Sequence, residues 1–301
     1  MTYSLSLDRI SKKYDGLYAV KELSLQLSPG VIFGLLGPNG AGKTSTIRMI
    51  MNITIPDEGR IQILGKPMNE ELKKRLGYLP EERGLYPKME VAEQLLFLAQ
   101  LKGIEQAKAK ARIDGWLDRL ELGAWKTKKV EELSKGMQQK AQFIATVAHD
   151  PDLIILDEPF AGLDPINVNS LKDIILEMKN QGKTILFSTH RMEQVEKLCD
   201  KISLINRGQD ILSGDLRAIK QQYGKDTVMV EYEGSLAFLN GFAPIAKIDD
   251  YGNYAEIKLT DRAHAHEVLK KIVNEIKVYK FEMVEPSLNE IFIERVGSTH
   301  E

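Results

Sequence analysis

The chain has 301 residues, room for one large domain and a small one at about 100 to 200 residues per domain. Hydrophobic residues make up 43% and charged residues 28%, a balance that supports a sizeable core and excludes wholesale disorder. Lys plus Arg (41) nearly match Asp plus Glu (43), for a formal net charge of -2. That balance removes any general electrostatic reason to bind nucleic acid or anionic lipid, and no nucleic-acid partner is expected.

The first fifteen residues alternate polar and apolar side chains and carry Asp8, Arg9, Lys12 and Lys13. A secretory signal would need an apolar stretch there, so a cytoplasmic location is expected. Residues 3–7, 22–27 and 60–64 alternate in period two, with Pro29-Gly30 and Asp57-Glu58-Gly59 as turn chemistry, the pattern of an antiparallel β-layer. Residues 31–36 are instead almost continuously apolar, as are 154–156 and 184–187; such runs predict strands covered on both faces.

Residues 91–101 and 107–122 read as helices, forming a helical subdomain of about residues 88–150 inserted in the α/β core. The first of these is the most apolar helix, yet Glu93, Gln94 and Gln100 interrupt it, and it falls short of the roughly 18 apolar residues needed to cross a bilayer. Any membrane span is therefore expected from another chain. Val168, Leu171, Ile174, Ile175 and Met178 share one helical face before Gly182 stops the helix. Buried strands alternating with amphipathic helices predict a mostly parallel sheet. The single Cys199 excludes an internal disulfide and fits a reducing compartment.

Residues 217–225 read as a linker with little to bury. Beyond it come a strand at 228–232, a helix at 235–240, a hairpin of 246–250 and 255–259 around Tyr251-Gly252-Asn253, a helix at 264–276 and a strand at 278–284. The order βαββαβ predicts a small α+β ferredoxin-like domain, closed by a helix at 288–296. The domains are thus placed at 1–220 and 221–301. His264 and His266 near a helix start read as a solvated helix end and not as metal ligands, and the second domain carries no catalytic constellation.

Gly37, Gly42, Lys43 and Thr44 satisfy GxxxxGK[ST] between a buried strand and a helix opening at Ser45. In Gly37-Pro38-Asn39-Gly40-Ala41-Gly42-Lys43-Thr44-Ser45 the glycines let backbone N–H groups curl around phosphate oxygens. Lys43 spans the β- and γ-phosphates, and the Thr44 hydroxyl can ligate Mg2+. Four apolar residues then end in Asp157 and Glu158, two carboxylates expected beside the phosphate loop. Asp157 suits the metal side, directly or through water; Glu158 can accept a proton from the attacking water or orient it. His190 follows the strand at 184–187 and is placed to meet the γ-phosphate and position Glu158.

With the run Leu133-Ser134-Lys135-Gly136-Met137 between these motifs, the chain resembles the nucleotide-binding subunit of an ATP-binding-cassette (ABC) transporter over roughly residues 1–220. The resemblance implies a P-loop NTPase fold of ABC type, with a mixed, largely parallel core sheet, an antiparallel β-layer and a helical subdomain. It also implies an adenine-stacking role for Tyr14, a signature role for Ser134, Lys135, Gly136 and Met137 over a partner's ATP, a D-loop containing Asp164, and a switch role for His190. Physically, a Ser hydroxyl and backbone N–H groups at a helix start form an anion site, while Ser134 also suits an N-cap.

Two positions depart from the family pattern. Lys135 and Met137 replace residues of the usual Leu-Ser-Gly-Gly-Gln, and Glu81 stands where the family has a glutamine that touches Mg2+ and senses the membrane subunit. A carboxylate can still ligate the metal, with one more negative charge beside the phosphates. Both departures resemble exporter-type cassettes, including sodium-efflux subunits, which carry a small C-terminal domain. The implied function is an ATPase with ATP and Mg2+. It dimerises head to tail with itself or a close paralogue and powers a polytopic permease from the inner face of the membrane. The alternative is a soluble ABC ATPase with a regulatory or assembly role.

Overall fold

The computed structural model describes residues 3–82, 84–223 and 226–297, and the chain divides into two compact units, Met1–Gly214 and Asp215–Glu301. The first unit opens with β1 (Leu5–Tyr14), β2 (Leu17–Leu27), β3 (Ile32–Leu36), α1 (Lys43–Ile50) and β4 (Glu58–Ile63). β2, β1 and β4 form the antiparallel layer in that order. β1 runs seven residues beyond the alternating stretch that marks it in sequence, because register shifts between Leu7 and Ile10 and again at Lys12 break period two. Arg9 takes a left-handed φ of 44° there, so Leu7 and Ile10, three apart, are both buried.

Next come α2 (Glu70–Lys74), β5 (Leu76–Leu79), α3 (Val91–Leu101), α4 (Gln106–Arg119) and α5 (Lys135–Val147). After them β6 (Leu153–Asp157), α6 (Pro165–Asn180), β7 (Thr184–Thr189), α7 (Met192–Leu198), β8 (Lys201–Asn206) and β9 (Gln209–Asp215) alternate. The six-stranded core sheet has the order β5-β6-β7-β3-β8-β9, and β5, β6, β7, β3 and β8 are mutually parallel. β3, β6 and β7 are buried at every residue, as their apolar runs predict. α6 starts at the Asp164 cap with Pro165 in its first turn, buries Leu171, Ile174, Ile175 and Met178, and ends before Gly182 at φ 88°.

β5 is an edge strand, and α5 lies against it. A Cβ on Gly77 would stand 2.6 Å from the Thr146 carbonyl oxygen, so glycine is what allows the two backbones to approach. Thr146 Oγ1 reaches Tyr78 O at 3.2 Å, and His149 Nε2, just past the helix, reaches Leu76 O at 2.9 Å. Side chains thus supply donors that a neighbouring strand would otherwise provide.

The second unit comprises α8 (Leu216–Gln222), β10 (Thr227–Glu233), β11 (Ile245–Asp250), β12 (Tyr254–Leu259), α9 (Ala265–Glu275), β13 (Lys277–Val284) and α10 (Leu288–Gly297). Its sheet is antiparallel in the order β11-β12-β10-β13, the ferredoxin-like arrangement. Val228, Val230, Ile257 and Leu259 pack with Val268 and Ile272 of α9.

Two expectations are corrected here. The helix read at 235–240 is one 3₁₀ turn, Ala237–Leu239; Gly234 and Gly241, at φ 132° and 76°, leave too short a stretch to nucleate an α-helix. The stretch read as a linker contains α8, which is capped by Asp215 and buries Leu216 and Ile219; Gly224 and Lys225 lie outside the described residues.

His149 was not singled out by sequence. It is 8% exposed, and its Nδ1 has no partner among the described residues. Burial, helped by the charge of Lys102, pushes its pKa from the usual 6.5 down to about 4. The unfolded chain therefore binds this proton more readily than the folded one, so stability falls as pH drops from about 6.5 to about 4, at up to about 1.4 kcal/mol per pH unit. Urea unfolding at pH 7 and pH 5 should show this loss in the wild type. In His149→Gln, which keeps a donor for Leu76 O, this part of the pH dependence should be absent.

Candidate functional site

The strand order brings four strand ends to one edge of the core sheet. β3 runs into Gly37, β6 into Glu158, β7 into His190, and β5 into Pro80 and Glu81. In a parallel sheet these C-terminal ends share one edge, where ligands of open α/β sheets bind.

The phosphate loop is wedged there by close backbone contacts. Gly37 has φ 151°, and a Cβ on it would sit 2.2 Å from Ile205 O; Gly42 has φ 108°, and its Cβ would sit 2.3 Å from Ala19 O. Only glycine meets both conditions. Gly42 is the N-cap of α1, so the unpaired N–H groups of that helix open toward the loop. Lys43 is 8% exposed, and its Nζ donates to Gly37 O at 2.7 Å and Pro38 O at 3.0 Å. Burial lowers its pKa, against the opposing pull of Glu158, Asp157 and Glu81.

A cavity of about 260 Å³ is lined by Ala19, by 39–45 of the phosphate loop, and by Glu81, Asp157 and Glu158. Asn39, Gly40, Ala41, Gly42, Lys43, Thr44 and Ser45 thus face the three carboxylates that the sequence selects. Asp157 is 1% exposed, and its Oδ2 has no hydrogen-bond partner among the described residues. Burial, together with the charges of Glu81 and Glu158, pushes its carboxyl up to about 6.

Glu158 stands just past β6 with a left-handed φ of 48°, a conformation that costs a non-glycine residue about 1 kcal/mol. Its backbone N–H donates to Ser188 O at 2.9 Å. Oε1 accepts from the His190 backbone N–H at 2.9 Å and lies 2.7 Å from His190 Nδ1; Oε2 accepts from Thr189 Oγ1 at 2.9 Å. Thr189 is a contributor that the sequence reading passed over, although it sits in the same Ser-Thr-His run.

Other predicted residues lie outside this cavity. Tyr14 ends β1 at the hairpin tip, paired with Leu17, and is 42% exposed. Ser134 caps α5, its Oγ accepting from Met137 N at 3.2 Å, and Ser134 and Lys135 are exposed. A Cβ on Gly136 would lie 3.4 Å from Gly162 O, which ties the start of α5 to the turn before Asp164. Asp164 Oδ1 accepts from Ile166 N and Asn167 N, each at 3.0 Å, and so caps α6. Nothing in the sequence pointed to Ala19, whose place is fixed by the close contact with Gly42.

Residues 20–161 match the family described as ABC transporter, and residues 214–296 match the C-terminal domain described as that of DrrA1-3-like ATP-binding protein. The chain is 43% identical, over 99% of its length and 100% of the relative's, to the ABC transporter ATP-binding protein YhaQ of Bacillus subtilis. It is 35% identical, over 81% of each chain, to the Nod factor export ATP-binding protein I of Burkholderia pseudomallei. A solved ATP-binding subunit of an ABC transporter, 30% identical, superposes with a TM-score of 0.69 over 73% of this chain and 93% of that one. The phosphate loop facing three carboxylates across one sheet edge, the parallel core and these likenesses place the chain in the family of ABC transporter ATP-binding proteins, whose cassettes bind and hydrolyse ATP.

Proposed function

We propose that this chain pairs head to tail with a second copy or a close paralogue, closes over ATP, and drives a separate polytopic permease in the export direction. The observation that carries this reading is the division of labour within one chain. The phosphate loop and the carboxylates share a cavity, while Ser134 and Gly136 stand outside it on an exposed helix start, suited to a phosphate held by another chain. Among the described residues no helix is long and apolar enough to cross a membrane, so contact with the membrane would come through the permease. The Nod factor relative carries export in its name, which supports the direction.

The residues fit a hard divalent cation. The orphaned Asp157 Oδ2 and the crowding of Asp157, Glu158 and Glu81 are both answered by Mg2+, with Thr44, Asp157 and Glu81 as its protein ligands. Two carboxylates and one hydroxyl leave the remaining positions of a Mg2+ site to substrate phosphates and water. When bound, Mg2+ neutralises charge developing on the β- and γ-phosphate oxygens.

The protein's own groups supply the rest. Phosphate-loop N–H groups and Lys43 hold the β- and γ-phosphates, and Tyr14 offers a ring face to the adenine. Glu158 takes the proton of the attacking water. His190 and Thr189 fix both carboxylate oxygens, which spares the reorganisation a free side chain would require. Lys135 adds a cation to the signature end, and Asp164 holds the turn beside it.

Glu158→Gln should lower steady-state ATP hydrolysis at least about hundredfold while nucleotide affinity is retained; an unchanged rate would overturn the assignment of the base. Head-to-tail pairing is tested by mixing two inactive chains, Lys43→Ala and Ser134→Arg. Random dimers restore one intact site in half of the pairs, so about a quarter of wild-type activity should return, and no recovery would rule out a homodimer. Tagged chain extracted from native membranes in detergent should carry a polytopic membrane protein with it. Recovery in the soluble fraction alone would favour the regulatory reading.

A further inference from the structure

After β5 ends at Leu79, the chain passes through Pro80, Glu81 and Glu82 on the free edge of the core sheet. Among the described residues no strand pairs with it on that side, and α5 takes over that task. Gln142 and Thr146 lie on one face of α5 at a spacing of four, and His149, just past the helix, continues the row. They meet carbonyls at every second position of the strand and its continuation: Leu76, Tyr78, Pro80 and Glu82. The last two belong to a single side chain. Gln142 Nε2 donates to Pro80 O and to Glu82 O, each at 3.2 Å, and so bridges the carbonyls of the two residues on either side of Glu81.

Gln142 is 4% exposed, and its Oε1 has no partner among the described residues. A buried acceptor without a donor is destabilising, whereas Met or Leu would fill the same space without that cost. What only the amide provides here is the pair of donors. With the carbonyls of both neighbouring residues held, the backbone on either side of Glu81 is restrained, and its exposed side chain lines the cavity it shares with Asp157 and Thr44.

We propose that Gln142 is a positioning residue for Glu81: by clamping Pro80 O and Glu82 O it holds the Glu81 carboxylate where it meets the nucleotide-bound divalent cation. This rests on the reading of Glu81 as a metal-side ligand. Gln142 itself touches neither nucleotide nor metal.

The test uses the full chain and the non-hydrolysable analogue AMP-PNP, with affinity measured calorimetrically in Mg2+ and again in EDTA. The ratio of the two affinities is the metal-dependent gain. Glu81→Ala should reduce that gain. Gln142→Met should reduce it about tenfold, as the loss of residues that orient a metal ligand does, with the EDTA affinity unchanged. In the Glu81→Ala background, Gln142→Met should add nothing further. Thr146→Val, which loses a contact on the same helical face, should lower the thermal midpoint and leave the gain intact. A reduced gain in Glu81→Ala with none in Gln142→Met, or full additivity of the two, overturns the positioning role and leaves Glu81 as a ligand. An unchanged gain in Glu81→Ala overturns both. Should Gln142→Met be unfolded at the assay temperature, Gln142→Asn, which keeps the amide one methylene shorter, carries the same test.

Discussion

Three carboxylates and one ammonium have to share one cleft in which Asp157 and Lys43 are buried, and the arrangement of the first unit follows from that requirement. Asp157 is almost fully buried with one oxygen unpaired, Glu158 and Glu81 repel it, and Lys43 is the cation facing all three. Such a cluster is unfavourable on its own. It persists because its members are fixed from three strand ends, Lys43 after β3, Glu81 after β5, and Asp157 and Glu158 at the end of β6; on the proposed reading a divalent cation brought in with ATP would offset the negative charge. The strand order β5-β6-β7-β3 sets those ends side by side.

The same edge carries local strain and close contacts that a looser fold would relax. Glu158 is held at positive φ by its N–H bond to β7 and by three contacts to its carboxylate. Gly37 and Gly42 put backbone where no Cβ fits. These are independent constraints acting at one place, the condition under which strained conformations survive at functional sites.

α5 joins the two ends of the proposed mechanism. Its first residues carry the run proposed as the signature, capped by Ser134; one turn on, Gln139 Nε2 donates to Pro159 O beside Glu158 at 3.0 Å; and Gln142 then reaches the Pro80 and Glu82 carbonyls on either side of Glu81. Thr146 and His149 extend that attachment along β5.

The glycine loop, the apolar strand ending in Asp157 and Glu158, and the Ser188-Thr189-His190 run could be read from sequence, because each is a contiguous motif whose chemistry depends on spacing along the chain. The buried strands of the core and the face of α6 were legible for a similar reason, since burial on both faces or on one stripe writes a periodicity. β1 was read too short because bulges break that periodicity, and α8 was missed because seven residues with two buried apolar side chains resemble a linker. Ala19, His149 and the Gln142 clamp were not legible at all. Their roles arise where distant segments meet: a hairpin against the phosphate loop, and a helix against a sheet edge. Sequence by itself determined which phosphate-loop, carboxylate and histidine groups this protein carries, because local order encodes them. Only the tertiary structure decided which of them face one another and what holds them, because the partners in those contacts are set by sheet order and helix packing.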